Sequence, residues 1–164
     1  MGRYMIILLM GVTASGKSTV GKQLALELGW RFLEGDDFHS PENIEKLRQG
    51  KALNDENREP WLEAIRETIR ATLARGENAV IACSALKESY RRMLRVSEQV
   101  IFVYFKATIP LIQERLRRRV GHFMNPNLIQ SQFDTLEEPG DALQIDAGLT
   151  PAEIVRIIRN KLSV

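Results

Sequence analysis

The sequence is poor in the residues that build disulfides or multi-histidine centres. It has one cysteine, Cys83, so no internal disulfide can form, which predicts a reducing, cytoplasmic compartment. Cys83 lies in an apolar run, where a buried structural thiol is expected rather than a reactive one. The two histidines, His39 and His122, are too few for a multi-histidine metal centre. Hydrogen bonding to a substrate or to the protein is the role predicted for both.

The sequence also lacks a large excess of charge and a long apolar segment near its start. Lysine and arginine number 23 against 21 aspartates and glutamates, so the formal net charge of +2 favours neither nucleic-acid nor membrane binding. The apolar run at residues 4–10 is too short to cross a bilayer. This run leads directly into a glycine-containing loop. Cleavage of the run as a signal peptide would destroy that loop. Without repeats or low-complexity segments, residues 1–164 are predicted to form a single domain.

The most informative stretch is GVTASGKS at residues 11–18, which fits the phosphate-binding pattern G-x-x-x-x-G-K-[ST]. Backbone N–H groups of such a loop and the start of the following helix attract phosphate oxygens. Lys17 is predicted to reach the outer phosphates, and the Ser18 hydroxyl to complete a magnesium shell. A Gly/Ser turn that ends in Lys-Ser by chance is the alternative, and the flanking strand and helix argue against it. The loop residues predicted to bind a nucleoside triphosphate are Gly11, Val12, Thr13, Ala14, Ser15, Gly16, Lys17, Ser18 and Thr19.

Apolar runs of strand length alternate with segments of helical periodicity along the chain. Strands are predicted at residues 4–10, 31–34, 79–83, 100–105 and 142–145. Helices are predicted from the glycine loop to Gly29, from Pro41 to Gly50, from Asn54-Asp55 or from Pro60 to Gly76, over 86–94, from Pro110, over 128–133 and from Pro151. The alternation predicts an α/β protein of the P-loop NTPase three-layer type. Its sheet would have five parallel strands with helices on both faces, and a lid would cover the site.

Ligands in such sheets lie at the carboxyl ends of the strands, where the turn after the second predicted strand carries acids. Asp36 and Glu34 are two residues apart and would point to the same face of an extended segment. Asp36 is predicted to meet the acceptor hydroxyl, and Glu34 to organise water around a metal ion. The alternative is that both are solvated turn residues. The glycine loop beside them favours the site, more firmly for Asp36.

Four arginines end the helix that Pro110 opens. Cations are favoured at a helix C-terminus, which by itself explains Arg117 and Arg118. Arg115 and Arg119 share one helical face and are predicted to meet nucleotide or phosphate. The irregular segment that follows, about residues 120–140, is predicted to be a lid that keeps water from the reaction.

A small acidic sugar as acceptor would require an arginine fork for its carboxylate and polar groups for its hydroxyls. Arg58, Lys87 and Arg91 lie on segments that could face the cleft, with His39 nearby in the loop after the second strand. Arg58 has an alternative role as the ion-pair partner of an adjacent acid, either Glu59 or Glu63.

With these residues in place, the chain resembles bacterial-type gluconokinases, in the nucleoside-monophosphate-kinase-like and shikimate-kinase-like branch of the P-loop kinases. The resemblance runs in register from residue 5 to about residue 146, and it is most specific in the runs at residues 34–39, 53–62 and 83–87. The matching runs are GVTASGKST (11–19), EGDDFH (34–39), NIEK (43–46), LNDENREPWL (53–62), CSALK (83–87), YR (90–91), GHFM (121–124) and SQFDTLE (131–137).

The resemblance implies phosphorylation of D-gluconate at its 6-hydroxyl by ATP with Mg²⁺, and often a homodimer. It implies that Asp36 lies near the acceptor hydroxyl, that Arg58 and Arg91 contact substrate, and that Arg119 lies in the lid. Lys17, Asp36 and Arg119 would be the catalytic residues. The sequence departs from the family pattern at Asn57, where an aspartate is expected, and at Ala14, where a glycine is frequent.

Two other functions fit parts of the sequence. Shikimate or another small acidic alcohol would place the same demand for carboxylate recognition on the same fold. An NTP-driven switch or nucleic-acid-handling module would need a basic stripe or interleaved aromatic residues. Aromatic residues make up only 7% of the chain and the arginine run is brief, so no nucleic-acid partner is predicted.

Overall fold

A computed structural model of the chain describes residues 4–119 and 126–164. The described residues form five strands, seven α-helices and one 3₁₀ turn. The strands are β1 (Ile6–Met10), β2 (Arg31–Glu34), β3 (Ala79–Ala82), β4 (Val100–Lys106) and β5 (Leu143–Asp146). The helices are α1 (Lys17–Leu28), α2 (Pro41–Arg48), α3 (Asp55–Ala74), α4 (Glu88–Leu94), α5 (Ile109–Arg118), α6 (Pro126–Thr135) and α7 (Pro151–Leu162), and the 3₁₀ turn is Gly35–Phe38.

The strands form one parallel sheet in the order β2-β3-β1-β4-β5. The predicted five-stranded parallel sheet is therefore confirmed. The strand β1 lies at its centre, between β3 and β4, and every residue of β1 is buried. This position explains why the first strand reads as a continuous apolar run, since both of its faces are covered by other layers.

Alternate residues of β1 supply two separate hydrophobic layers. Ile6, Leu8 and Met10 pack with the apolar side of α3 and α4, whereas Ile7 and Leu9 pack with α1 and α7. Both faces of the sheet are therefore covered by helices, as predicted. No helix in the described ranges is long and apolar enough to cross a membrane.

The helix α3 begins at Asp55, which decides between the two predicted starts. The Asn54 side chain accepts a hydrogen bond from the Asn57 N–H (2.8 Å), and the Asn57 side chain accepts one from the Asn54 N–H (3.1 Å). This reciprocal capping box fixes the first turn, and Pro60 lies inside the helix without ending it.

Two other predicted boundaries need correction. The helix α4 begins at Glu88 and not at residue 86, because the backbone of Lys87 is extended, with a φ of -99° and a ψ of 148°, and Lys87 is the N-cap. The helix α6 is longer than predicted and extends from Pro126 to Thr135. The boundary predicted from Gly29 is confirmed, since Gly29 caps α1 in the left-handed conformation.

Candidate active site

A cavity of about 260 Å³ lies at the carboxyl ends of β1, β2 and β3. The glycine loop and the start of α1 form one wall. The turn after β2, the first half of α3 and the loop after β3 form the others. The predicted site residues that line the cavity are Thr13, Ala14, Gly16, Lys17, Ser18, Thr19, Glu34, Asp36, His39, Arg58 and Arg119.

Three residues of the glycine loop, Gly11, Val12 and Ser15, are buried and do not line the cavity. Gly11 has a φ of 147°, and a Cβ atom there would lie 2.9 Å from the Phe105 carbonyl oxygen. Only glycine permits this approach of the loop to the end of β4. Val12 packs into a small hydrophobic cluster, so these residues shape the loop from behind.

Ala14 adopts the left-handed conformation, with a φ of 59°. A non-glycine residue in this region carries backbone strain, which the surrounding loop must hold in place. The family pattern frequently has glycine at this position, and the left-handed backbone conformation explains that preference. Ala14 lines the cavity and also packs against the hydrophobic cluster that contains Val12.

Lys17 lies at the first position of α1 and is partly buried. Its Nζ donates hydrogen bonds to the carbonyl oxygens of Gly11 (2.9 Å) and Val12 (2.8 Å). Loss of water around the ammonium lowers the pKa of Lys17, while the charge of Asp36 opposes that shift. The ammonium is thus held over the glycine loop, at the end of the cavity where the sequence predicts phosphate binding.

Ser18 and Glu34 are brought together at the junction of α1 and β2. The Ser18 hydroxyl donates a short hydrogen bond to the Glu34 carboxylate, and both residues line the cavity. No group of three or more His, Cys, Asp or Glu side chains suited to a metal ion occurs within residues 4–119 and 126–164. A hydroxyl and one carboxylate suit Mg²⁺, which keeps several waters and takes its other ligands from phosphates.

Cys83 follows β3 behind this pair and is buried. Burial raises the pKa of its thiol to about 12. The predicted burial of Cys83 is therefore confirmed, and a buried neutral thiol is a poor nucleophile.

The 3₁₀ turn Gly35–Phe38 presents Asp36 to the cavity. Gly35 allows this turn to approach β3, because a Cβ atom there would lie 2.5 Å from the Ala82 carbonyl oxygen. The Trp61 indole N–H donates to the Gly35 carbonyl oxygen (2.7 Å) and fixes the turn against α3. Asp36 itself is exposed, and none of the described residues donates a hydrogen bond to its carboxylate. Its oxygens can therefore meet a ligand hydroxyl.

His39 stacks on Trp61, with ring centroids 4.2 Å apart and an angle of 13° between the planes. The Asn43 side-chain amide lies 3.3 Å from His39 Nδ1. Burial lowers the pKa of His39, so the ring is neutral at pH 7, and its polar edge is available in the cavity. Trp61 lines the same cavity and is a site residue that sequence reasoning did not select. It carries no charge, and only its place in the run LNDENREPWL marked it.

Arg58 projects from the first turns of α3 and lines the cavity. Its Nη1 donates to the Tyr90 hydroxyl oxygen (2.9 Å), and its guanidinium lies 5.6 Å from the centre of the Tyr90 ring. Arg58 does not pair with Glu59 or Glu63, which was its alternative role. Glu63 pairs with Arg66 instead. No ion pair joins Arg58 to any acid in the described parts of the chain.

Two of the predicted substrate contacts lie elsewhere. Lys87 forms an ion pair with Asp55 (3.0 Å) and does not line the cavity. Arg91 is only 1% exposed, and its donors are used by Glu88 and by the carbonyl oxygens of residues 85, 86 and 137. The structure therefore does not bring Lys87 or Arg91 to the cavity, because both side chains are held by protein groups.

The arginines at the end of α5 follow the prediction only in part, since Arg119 lines the cavity and Arg115, for which a phosphate contact was also predicted, does not. Arg117 and Arg118 are exposed and pair with Glu114. Arg119 lines the cavity, and its charge lowers the pKa of Lys17. Arg115 does not line the cavity: it donates to the Ala14 carbonyl oxygen (3.1 Å) and to the Ala147 carbonyl oxygen. Arg115 therefore supports the glycine loop from outside the cavity.

Gln132 is a second residue of the cavity that sequence reasoning did not select. Its side-chain oxygen accepts a hydrogen bond from the Thr13 N–H (2.6 Å), which joins α6 to the glycine loop. No charge or spacing distinguishes Gln132 in the sequence. The predicted lid lies partly outside the described residues, as do His122 and the run GHFM at residues 121–124.

Comparisons with known proteins by sequence and by structure agree on one family. The shikimate kinase family model matches residues 13–138. A gluconokinase from Arabidopsis thaliana is 43% identical, with 93% of this chain and 89% of that protein covered. A gluconokinase from Gluconobacter oxydans is 46% identical over 85% of this chain and 78% of its own length. The crystal structure of a gluconokinase from Sinorhizobium meliloti superposes with a TM-score of 0.88 at 42% identity, covering 98% of this chain and 94% of that one.

Proposed function

This chain belongs to the gluconokinase family of shikimate-kinase-like P-loop kinases, and from that premise we propose that it transfers the γ-phosphoryl group of ATP to the 6-hydroxyl of D-gluconate. One observation carries the proposal. A single cavity holds a phosphate-loop lysine, Lys17, a carboxylate, Asp36, and an arginine, Arg58, and neither Asp36 nor Arg58 forms an ion pair with another described residue. These are the groups that a phosphate donor, a hydroxyl and an acceptor carboxylate require.

We assign the two ends of the cavity to the two substrates. The end formed by residues 13–19 takes the phosphates of ATP, through loop N–H groups and the Lys17 ammonium. Arg119 adds a second cation to the same end. The end formed by the turn after β2 and by α3 takes gluconate, with Asp36, His39 and Arg58 as its contacts.

In the proposed step, the acceptor oxygen bonds to the γ-phosphorus while the bond from that phosphorus to the bridging oxygen breaks, and ADP leaves. Asp36 orients the acceptor hydroxyl and takes its proton. Lys17 and Arg119 offset the negative charge on the oxygens of the transferred phosphoryl group. Such stabilisation is strongest in a site that excludes water. Arg58 binds the gluconate carboxylate, and the neutral His39 ring binds a hydroxyl.

The residues present fit a magnesium ion bound with ATP. Ser18 and Glu34 would hold it, through the hydroxyl and through waters bound to the carboxylate. When bound, Mg²⁺ draws charge from the phosphate oxygens and fixes their arrangement. We therefore expect turnover to require a divalent cation.

The test is ADP release with Mg-ATP and a panel of acceptors. The panel contains D-gluconate, shikimate, glycerate, nucleoside monophosphates, a single-stranded nucleic acid and no acceptor. Turnover with gluconate alone supports the proposal. Turnover with shikimate in place of gluconate would replace it with the first alternative, and ATP hydrolysis that depends on nucleic acid would replace it with the second.

Two properties of the whole protein remain proposals that derive from the sequence. We propose a cytoplasmic location, which the reduced, buried Cys83 supports. The homodimer that the resemblance implies stays a prediction, and light scattering of the purified protein at micromolar concentration would test it.

A further inference from the structure

Beside the cavity, four polar side chains form a chain of contacts. The proposed function uses only one of them, Arg58. Arg58 donates to the Tyr90 hydroxyl (2.9 Å), and that hydroxyl donates to the Asp55 carboxylate (2.5 Å). Lys87 donates to both oxygens of the same carboxylate, at 3.0 and 3.3 Å. Asp55 and Arg58 lie one turn apart on α3, and Lys87 and Tyr90 lie at the start of α4. Only Arg58 of these four lines the cavity.

In this set of four side chains, a neutral group lies between the two charged residues of α3. Asp55 is close enough in sequence to pair with Arg58, since side chains three residues apart on a helix are neighbours. Instead, the neutral phenol of Tyr90 stands between them, and Lys87 provides the charge that balances Asp55. Arg58 thus makes no direct ion pair with an acid in the described parts of the chain, although its guanidinium is held in position.

Tyr90 is suited to this role because it is only 5% exposed and its ring is fixed in the core cluster under α3. A buried phenol that donates to a carboxylate has its oxygen lone pairs left to accept from the guanidinium. The cations of Arg58 and Lys87 lie 5.6 and 5.7 Å from the ring centre, so the ring also attracts both.

We propose that Tyr90 is a positioning residue that holds Arg58 ready for the acceptor carboxylate, and that Lys87 neutralises Asp55 so that Asp55 does not capture Arg58. This inference rests on the proposed function, because it assigns the Arg58 charge to a carboxylate on gluconate. It gives Lys87 a role in acceptor recognition without contact with the acceptor.

The first experiment is Tyr90→Phe, which removes one hydroxyl and keeps the ring. We expect the KM for gluconate to rise about tenfold, as for the loss of a hydrogen bond to a charged group, with kcat and the KM for ATP within about twofold of wild type. Tyr104→Phe is the matched control. Tyr104 is also a buried tyrosine whose hydroxyl binds one carboxylate, that of Glu138 (3.1 Å), but it lies away from the cavity.

The second experiment tests the charge balance. Lys87→Met should raise the KM for gluconate about threefold, because the uncompensated Asp55 then draws Arg58 away, and solvent screens part of this effect. In an Asp55→Asn background, Lys87→Met should have no further effect. Lys106→Met is the matched control, since Lys106 forms a similarly exposed ion pair with Glu138 (3.6 Å) outside the cavity.

The outcomes separate the two proposals. If the wild-type protein does not turn over gluconate, the proposed function fails and this inference fails with it. Only the inference fails if the wild type turns over gluconate but Tyr90→Phe keeps the wild-type KM for gluconate, or raises the KM for ATP as much as the KM for gluconate. It also fails if Tyr104→Phe raises the KM for gluconate equally. An effect of Lys87→Met that persists unchanged in the Asp55→Asn background would overturn the role of Lys87.

Discussion

At the scale of single residues, Asp36 is the side chain on which the proposed transfer depends most directly. It lines the cavity, and no described residue donates a hydrogen bond to its carboxylate. We expect Asp36→Asn to lower kcat by roughly two to four decades and to leave ATP binding largely unchanged, as for a general base or orienting group. Steady-state kinetics and a nucleotide-binding titration would measure both effects.

Asp37 offers the matched control for Asp36. It is the adjacent carboxylate on the same 3₁₀ turn, and it is exposed outside the cavity. Asp37→Asn should keep kcat within about twofold of wild type. Near-wild-type turnover in Asp36→Asn, or an equal loss in Asp37→Asn, would remove Asp36 from the mechanism.

Asn57 departs from the family pattern, and the structure gives it a role in the helix rather than in the cavity. Its side chain caps α3 through the Asn54 N–H, and it does not line the cavity. We expect Asn57→Asp to leave the KM for gluconate within about twofold and to change stability by less than ~0.5 kcal/mol, since aspartate also caps helices. A change of acceptor preference in the panel assay would contradict this expectation.

His39 should make stability depend on pH. Its pKa in the folded protein lies below the ordinary value of 6.5, mainly because of burial, with Arg58 acting in the same direction and Asp36 against it. As the pH falls below about 6.5, the unfolded chain therefore takes up a proton before the folded protein does. The stability contributed by neutral His39 is present above this pH and is lost as the pH approaches the folded pKa.

Urea unfolding at pH 7.5 and 5.5 would measure this dependence. We expect His39→Gln to lose less stability than the wild type between the two pH values, because glutamine takes up no proton. An identical loss in both proteins would show that other groups account for the acid sensitivity.

At the scale of secondary-structure elements, two capping boxes provide a matched pair. Asn54 and Asn57 cap α3, whose first turn carries Asp55 and Arg58, and Thr150 and Glu153 cap α7 on the far side of the sheet. We expect Asn54→Ala and Thr150→Ala each to lower the free energy of unfolding by about 1 kcal/mol. Only Asn54→Ala should also raise the KM for gluconate, by severalfold, because it loosens the turn that bears Arg58.

Chemical denaturation and gluconate kinetics on both variants would check the comparison. A raised KM in Thr150→Ala would mean that the effect follows global stability. An unchanged KM in Asn54→Ala would mean that the first turn of α3 is held by its packing alone.

At the scale of the whole molecule, Arg91 joins segments that are distant in the chain. It reaches the carbonyl oxygens of Ala85 and Leu86 in the loop after β3 and that of Glu137 after α6. Arg91→Ala leaves these buried acceptors without a donor and opens a void. We expect a loss of about 3 kcal/mol or more, which corresponds to a Tm lower by roughly 6–12 °C for a chain of this size.

Thermal unfolding together with gluconate kinetics distinguishes this structural role from the substrate contact first predicted. A wild-type Tm with a greatly raised KM would restore Arg91 to the acceptor site. A large loss of Tm, with a KM for the folded fraction close to that of wild type, is the result expected here.

The sheet, the glycine loop and the phosphate end of the site could be predicted from local sequence patterns. A buried parallel strand must be apolar on both faces, and a phosphate loop needs its glycines, its lysine and its hydroxyl at fixed spacing, so β1, Lys17 and Ser18 could be recognised locally. The positions of Asp36 and Arg119 beside the cavity also followed from the rule that ligands bind at the carboxyl ends of parallel strands.

Local patterns could not predict which basic residues line the acceptor end of the cavity, because this depends on how distant segments fold together. Arg58, Lys87 and Arg91 are indistinguishable by charge and spacing, but one lines the cavity, one balances Asp55 and one ties together buried loops. Trp61 and Gln132 were missed for the same reason, since uncharged side chains acquire a role only from what they contact. Side-chain direction depends on loop conformation, such as the left-handed Ala85, and on partners from distant segments, which no local pattern records.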